Sequence, residues 1–310
     1  MPEFDLVVLG DANPDLILSG KNVEPAFGQA ERLVDEALLV IGGSGAIMAC
    51  GAARLGLRTA FVGVVGDDAF GRFMLESLAE RGVDTRGCPV DPVRPTGVTV
   101  ILSRGEDRAI LTATGTITDL RADAVDRDVL RSARHVHLSS YFLLAGLRRD
   151  LPALFEEARS AGATTSIDPN WDPAEEWDGG LLSLLSRTDV FLPNSAEARA
   201  ITGLEDVDVA TEALAEHGCV VAAKFGQGGG MVVTSDFNLH VEAVPVDVAD
   251  TTGAGDNFDA GFLAGRLNGW SLDRCLAVAV ACGSLSTRAV GGTGAQPTMD
   301  EALAALSETT

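Results

Sequence analysis

The sequence predicts an α/β fold in which a mainly parallel β-sheet is covered by helices on both faces. Two observations carry this expectation. Short apolar runs alternate with helical patterns over most of the 310 residues, and strands buried on both faces read as such continuous runs. Glycines punctuate the joins between run and helix, where the chain must turn. A third observation adds a small β appendage: Val98–Ser103 and Ala109–Ala113 are β-rich and flank the polar turn Arg104-Gly105-Glu106-Asp107.

Taken in order, Phe4–Leu9 reads as a buried strand closed by Gly10 and Asp11. After the Gly42–Gly45 turn, residues 46–55 have the apolar, small-residue character of a buried helix ending at Gly56. Thr59–Val65 is the next strand, and Ala69–Arg81 an amphipathic helix stopped by Gly82. Further strands are expected at His135–Ser139, Thr164–Asp168, Val190–Leu192, Val220–Lys224 and Gly230–Thr234, with strand character again over Val241–Val248. Helices are expected at 150–161, 195–202, 209–217, 254–267 and 272–287. The β-rich region, roughly residues 94–114, joins roughly residues 14–40 in an appendage able to act as a lid. The chain reads as one domain, residues 1–310, with no repeat, low-complexity tract or linker.

Charge narrows the function. Acidic residues number 45 and basic ones 23, a formal charge of −22. A surface that acidic repels phosphate backbones and anionic lipid, which argues against nucleic-acid and membrane-surface binding. The start, MPEFDLVVLGD, lacks the basic region and apolar run of a signal peptide. No uncharged apolar stretch approaches the ~20 residues that span a bilayer. Five scattered cysteines (Cys50, Cys88, Cys219, Cys275, Cys282) form no CxxC pair, as expected of reduced thiols. A soluble cytoplasmic protein is the expectation.

The most informative stretch is Asp250-Thr251-Thr252-Gly253-Ala254-Gly255-Asp256-Asn257-Phe258-Asp259. A helix begins at its Gly-Ala-Gly turn, and small residues there leave backbone N–H groups unshielded. With the positive end of the helix dipole they form an anion site suited to a phosphoryl group in transfer. Asp256, in the first turn, can accept a proton from a hydroxyl attacking phosphorus. Alone, Asp256 could equally be a helix cap. The whole string sets it apart.

That string resembles the second signature of the ribokinase-like (PfkB-type) carbohydrate kinases, in which N/D-T-T-G-A-G-D-x-F carries the base and the anion hole. Ile41-Gly42-Gly43-Ser44-Gly45-Ala46 through Ala52-Ala53-Arg54-Leu55-Gly56 is similar to the family's first signature. Val62-Gly63-Val64-Val65-Gly66-Asp67-Asp68-Ala69-Phe70-Gly71 is similar to a further landmark. The resemblance implies a three-layer αβα sandwich with a small β-sheet lid, ATP as donor, and Mg²⁺. It implies Asp256 as the base and Gly253, Ala254 and Gly255 as the anion hole.

Other positions have an ordinary reading beside the implied one. Asn194 and Glu197 have the spacing of a helix capping box; the resemblance implies that they order the magnesium–phosphate network, Glu197 through water. Lys224-Phe225-Gly226-Gln227-Gly228 could be a hairpin; the resemblance implies a nucleotide-binding loop using Gly226 and Gly228, with Lys224 toward the phosphates. Val280, Cys282, Gly283 and Ser286 are adenine-side candidates on a helix that could equally be plain core. Neither G-x-x-x-x-G-K-[ST] nor G-x-G-x-x-G occurs, so neither a P-loop nor a dinucleotide fingerprint holds the phosphates. Asp250 and Thr252, with carbonyls near Gly291–Gly294, match the family's monovalent-cation site, which implies potassium.

On the acceptor side, Asp11, Asn13 and Asp15 follow the first strand, where acidic and amide groups suit a polyol, although such residues also make turns. The resemblance puts Asn13 and Asp15 on the sugar, joined by the backbone of Gly42 and Gly43. Ile47 stands where the family usually carries Asn, which turns the expectation from ribose toward a less polar or differently oriented acceptor. Asp168 and Asn170 look like the family's D-x-N segment, with Trp171 where Arg is frequent. The expected activity is transfer of the γ-phosphoryl group of ATP to a hydroxyl of a sugar or related polyol. A nucleoside acceptor is the alternative, and a non-catalytic sugar- or nucleotide-sensing homologue the third reading. Exposed edges of the lid suggest a homodimer through it.

Overall fold

A computed structural model describes residues 2–104 and 107–307 of the chain. Its strands run β1 (Phe4–Leu9), β2 (Asn13–Ser19), β3 (Glu36–Gly42), β4 (Thr59–Val62), β5 (Val65–Gly66), β6 (Val90–Asp91) and β7 (Val98–Arg104). They continue as β8 (Asp107–Ala113), β9 (Ala133–Leu138), β10 (Thr164–Ile167), β11 (Val190–Phe191), β12 (Val220–Lys224), β13 (Gly230–Val233) and β14 (Asn238–Val241). The helices are α1 (Ser44–Arg54), α2 (Ala69–Glu80), α3 (Arg127–Arg131), α4 (Ala145–Arg148), α5 (Leu151–Ser160) and α6 (Leu181–Leu185). After them come α7 (Ser195–Thr202), α8 (Val207–Ala215), α9 (Ala254–Leu267), α10 (Leu272–Ser286) and α11 (Met299–Ser307).

Side chains alternate across a strand, and β1 shows what that does here: Val7 and Leu9 enter one core, Leu6 and Val8 the other. The first core is closed by Leu130, Phe155, Leu184 and Leu214 from α3, α5, α6 and α8. The second is closed by Met48, Met74, Phe262, Leu276 and Ala302 from α1, α2, α9, α10 and α11. Three layers follow from two cores. The sheet between them is eight-stranded, in the order β14-β13-β12-β11-β10-β9-β1-β4. Pairings from β4 through β12 are parallel, and only β13 and β14 join antiparallel. This is the mainly parallel αβα sandwich expected.

A separate four-stranded sheet has the order β3-β2-β7-β8. β7 and β8 form the hairpin read from sequence, paired from Val98↔Ala113 to Arg104↔Asp107; Gly105 and Glu106 lie outside the described residues. Two expectations fail. The run Thr59–Val65 breaks into β4 and β5 around Gly63, where a Cβ would lie 2.5 Å from the Gly10 carbonyl. Strand structure also stops at Val241. β14 is the edge of its sheet, Pro245 removes a donor, and the apolar residues beyond line a cleft instead.

Because β1, β10 and β12 are parallel, their C-terminal ends meet at one edge of the sheet. The N-termini of α1 and α9 open at that same edge, where ligands bind in such sheets.

Candidate active site

Asp11 closes β1. Its carboxylate accepts from the backbone N–H groups of Ser44 and Gly45, each at 3.1 Å, and from the Ser140 hydroxyl at 2.8 Å. The N-cap of α1 is Gly43, which has no side chain to give, so Asp11 supplies the missing acceptor from a distance. Asn170 Nδ2 donates to Ser140 Oγ at 2.9 Å and to Ser44 Oγ at 3.3 Å, which joins the β10 end to the same cluster. Asn13 Nδ2 donates to Thr99 Oγ1 at 3.1 Å and to Asp15 Oδ1 at 3.4 Å. Burial, reinforced by the charges of Asp11 and Asp250, pushes the Asp15 carboxyl up to about 7. Asp11, Asn13, Asp15, Gly42 and Gly43 are thus brought together.

The start of α9 is built on glycine. Gly253 caps the helix at φ 73°, a left-handed conformation that costs other residues energy. It also has no room: a Cβ there would lie 3.0 Å from Ile47 Cγ2 and 2.7 Å from Gly292 Cα. Ile47, expected on the acceptor side, is 3% exposed and packs beneath Gly253 and Gly292. The polar bracing here comes from Asn257, whose amide donates to the carbonyls of Gly253 (2.8 Å) and Gly292 (3.1 Å). Gln296 braces Asn257 Oδ1 and the Ile47 carbonyl in turn, each at 2.9 Å.

Asp256 sits in the first turn of α9, 8% exposed. Burial, then the Asp168 charge, pushes its carboxyl up to about 8; Ser44 and Lys224 oppose the rise. Beside it, Lys224 Nζ donates to Asp168 Oδ2 at 2.7 Å and to Asp259 Oδ2 at 3.1 Å. Burial works against the ammonium, but Asp168, Asp259 and Glu197 together hold it charged. Glu197 and Asn194 form a true capping box on α7. The same Glu197 is buried, its carboxyl pushed up to about 7 by burial and then by Asp168.

Asp259 was not singled out in the sequence. The signal was there: it follows Asp256 by three helical positions and so shares its face.

A cleft of about 470 Å³ runs from Lys224, Gly226, Gln227 and Gly229 past Val244 and Val246 to Val280, Gly283 and Ser284. Thr251, Ala254 and Gly255 form its other end. It is mainly apolar and ends at the α9 turn. Gly228 is not among its lining residues. Cys282, expected on the adenine side, has its Sγ 3.0 Å from where a Cβ on Gly261 would be, inside the α9–α10 contact and away from the cleft. Ser286, 1% exposed, donates to the Gly283 carbonyl and is likewise interior.

Asp250 accepts from Gly291 N (2.8 Å), Thr252 N (2.9 Å) and Thr252 Oγ1 (2.8 Å). Burial opposes its charge, and these donors hold it below the usual carboxylate range. From the smaller sheet, Arg108 reaches over to donate to Thr252 Oγ1 at 2.9 Å and Asp250 Oδ1 at 3.4 Å. No group of three or more His, Cys, Asp or Glu side chains that could hold a metal ion occurs among the described residues, and no helix there is long and apolar enough to cross a membrane.

The comparisons define a class, a phosphotransferase with an alcohol group as acceptor. The pfkB family carbohydrate kinase pattern matches residues 3–299. The fructokinase of Klebsiella pneumoniae is 32% identical over 309 residues, covering 95% of this chain and 96% of that protein. Arabidopsis thaliana ribokinase, complexed with ribose and ATP, matches with a TM-score of 0.83 at 25% identity, covering 98% of each chain. Adenosine kinase from Sinorhizobium meliloti matches with a TM-score of 0.85 at 26% identity, covering 99% of each. The chain belongs to the pfkB family of carbohydrate kinases and is a sugar kinase of that family.

Proposed function

We propose that the protein transfers the γ-phosphoryl group of ATP to a hydroxyl of a sugar or related polyol, with Asp256 as the base. One observation carries this reading. The Asp256 carboxyl shares its surroundings with Asp11 and Ser44 on the acceptor side and with Lys224 on the donor side, in the opening turn of the helix whose N–H groups can hold a phosphoryl group. Asp15 and Asn13 accept and donate to acceptor hydroxyls. Gly253, Ala254 and Gly255 supply the amides that meet developing negative charge, and the cleft from Gly226 to Gly283 takes the nucleotide.

Magnesium keeps several waters and takes few protein ligands, and the donor set fits that habit: Glu197, held by Asn194 N at 2.8 Å, offers one fixed carboxylate. When bound, the ion neutralises phosphate charge. Potassium is proposed near Asp250, Thr252 and the carbonyls after Gly291, on the strength of the converging Asp250 loop. Homodimerisation through the smaller sheet is supported by Leu39 and Leu111, 41% and 59% exposed, which the register Leu39–Leu16–Val100–Leu111 puts on one face of it.

A nucleoside acceptor is the second reading. Trp171, 48% exposed, follows Asn170 directly and is held edge-on by Trp177 at 4.8 Å; such an indole can stack on a base. A sensing role has no use for a carboxylic base at this position. ADP release measured across sugars, polyols and nucleosides decides among the three, with Asp256→Asn as the control. Release with no acceptor above the ATPase background would sink the proposal.

A further inference from the structure

Lys224 is one of two lysines in the chain, and it is pinned. Its ammonium lies between Asp168 at the end of β10 and Asp259 on α9, with side-chain exposures of 6% and 1% for the two carboxylates. A Cβ on Gly255 would be 3.4 Å from Lys224 Cδ and 3.7 Å from Nζ, so the side chain runs along the anion-hole turn, and it also lines the nucleotide cleft. Stability does not explain this arrangement. Buried ion pairs recover little of their desolvation cost, and apolar residues of similar size hold a core at least as well. Burial, with the Asp168 charge behind it, pushes the Asp259 carboxyl well up while Lys224 opposes the rise, so a second acid is held here at a cost.

Geometry suggests what the second carboxylate adds. With Asp168 alone, a flexible four-carbon stem would let the ammonium follow β10. Asp259 sits on the helix that carries both the anion hole and Asp256, so its bond ties the ammonium to that helix. We propose that Asp259 is a positioning residue for phosphoryl transfer: it registers Lys224 Nζ against the Gly255 turn, where the positive charge meets the transferring group. This rests on the reading of Asp256 as base and of the α9 turn as the phosphoryl site. Lys224 makes the contact; Asp259 acts only through it.

The test is a double-mutant cycle on kcat with Asp259→Ala, Lys224→Met and the pair, each checked for folding by circular dichroism, with Asp256→Asn assayed in parallel. Asp259→Ala should lower kcat by about 30-fold and Lys224→Met by about 100-fold, with the acceptor KM within about twofold. The double variant should be no slower than Lys224→Met, since a residue acting through another has nothing left to lose. A merely structural aspartate would not give that pattern. Where either variant fails to fold, Asp259→Asn with Lys224→Gln closes the same cycle at nearly constant volume. Losses that multiply, or an Asp259 variant within about twofold of the parent, overturn the proposal while an inactive Asp256→Asn leaves the base reading intact. Turnover that survives in Asp256→Asn removes the base reading and this proposal with it.

Discussion

The carboxylate of Asp15 lies so close over Gly42 that a Cβ at position 42 would sit 2.0 Å from Asp15 Oδ1. Glycine there is what lets the buried acid occupy the acceptor side. Gly42→Ala must push Asp15 aside. The acceptor KM should rise at least about tenfold, roughly one lost hydrogen bond to a charged group, while the KM for ATP moves little. Steady-state kinetics with each substrate varied in turn checks this; an unchanged acceptor KM would remove Asp15 from the binding side.

Asp256→Asn keeps the shape and removes the base. General-base catalysis contributes about 10²–10⁴-fold, so kcat should fall by about 10³-fold while the thermal midpoint stays within a few degrees. A variant retaining a tenth of the activity would count decisively against Asp256.

The pH profile follows from the same carboxyl. Burial and then the Asp168 charge raise it to about 8 in the free enzyme, and a base works only when ionised. Hence kcat/KM should climb with pH and level off above about 8. The folded-state value exceeds the unfolded one, so ionising Asp256 also costs stability: its contribution is fully present at low pH and is lost as pH rises through about 8. A profile flat from pH 6 to 9 would contradict both statements.

Asp68 makes a stability prediction away from the chemistry. It accepts from Gly71 N, Thr96 N and Thr96 Oγ1, each at 2.8 Å, and so caps α2 while tying it to the loop before β7. Asp68→Ala should cost about 2 kcal/mol. Burial opposes its charge, but those donors keep its carboxyl below the ordinary value. The increment is therefore complete above about pH 4 and declines as pH falls further. Denaturant titrations of the two proteins at pH 7 and pH 3 measure it.

Ile47→Asn restores the amide usual in the family, yet the side chain is enclosed by Gly253 and Gly292. It should lower stability by about 1–3 kcal/mol through an unpartnered polar group and leave the ranking of acceptors unchanged. A changed ranking on the substrate panel would return Ile47 to the acceptor pocket.

How much of this was legible beforehand follows the distance between the residues involved. The turn Gly253–Gly255 with Asp256 lies in one short string, so local rules of helix starts and glycine make both parts of the proposed reaction centre legible. Strand and helix order was legible for the same reason, because hydrophobic period is a local property. What stayed illegible is what a neighbour in space decides. Ile47 packs against Gly253 and Cys282 against Gly261, and the run after Val241 is no strand because its sheet ends there.

By itself, then, the chain determined its α/β class, the glycine turn that opens α9 and the acid set into it. Only tertiary structure decided that Lys224, Asp168 and Asp259 meet, since three segments far apart in sequence converge at one sheet edge. The same is true of the raised Asp15, Glu197 and Asp256 carboxyls. Burial and the proximity of like charges belong to the assembled core, and no single segment contains them.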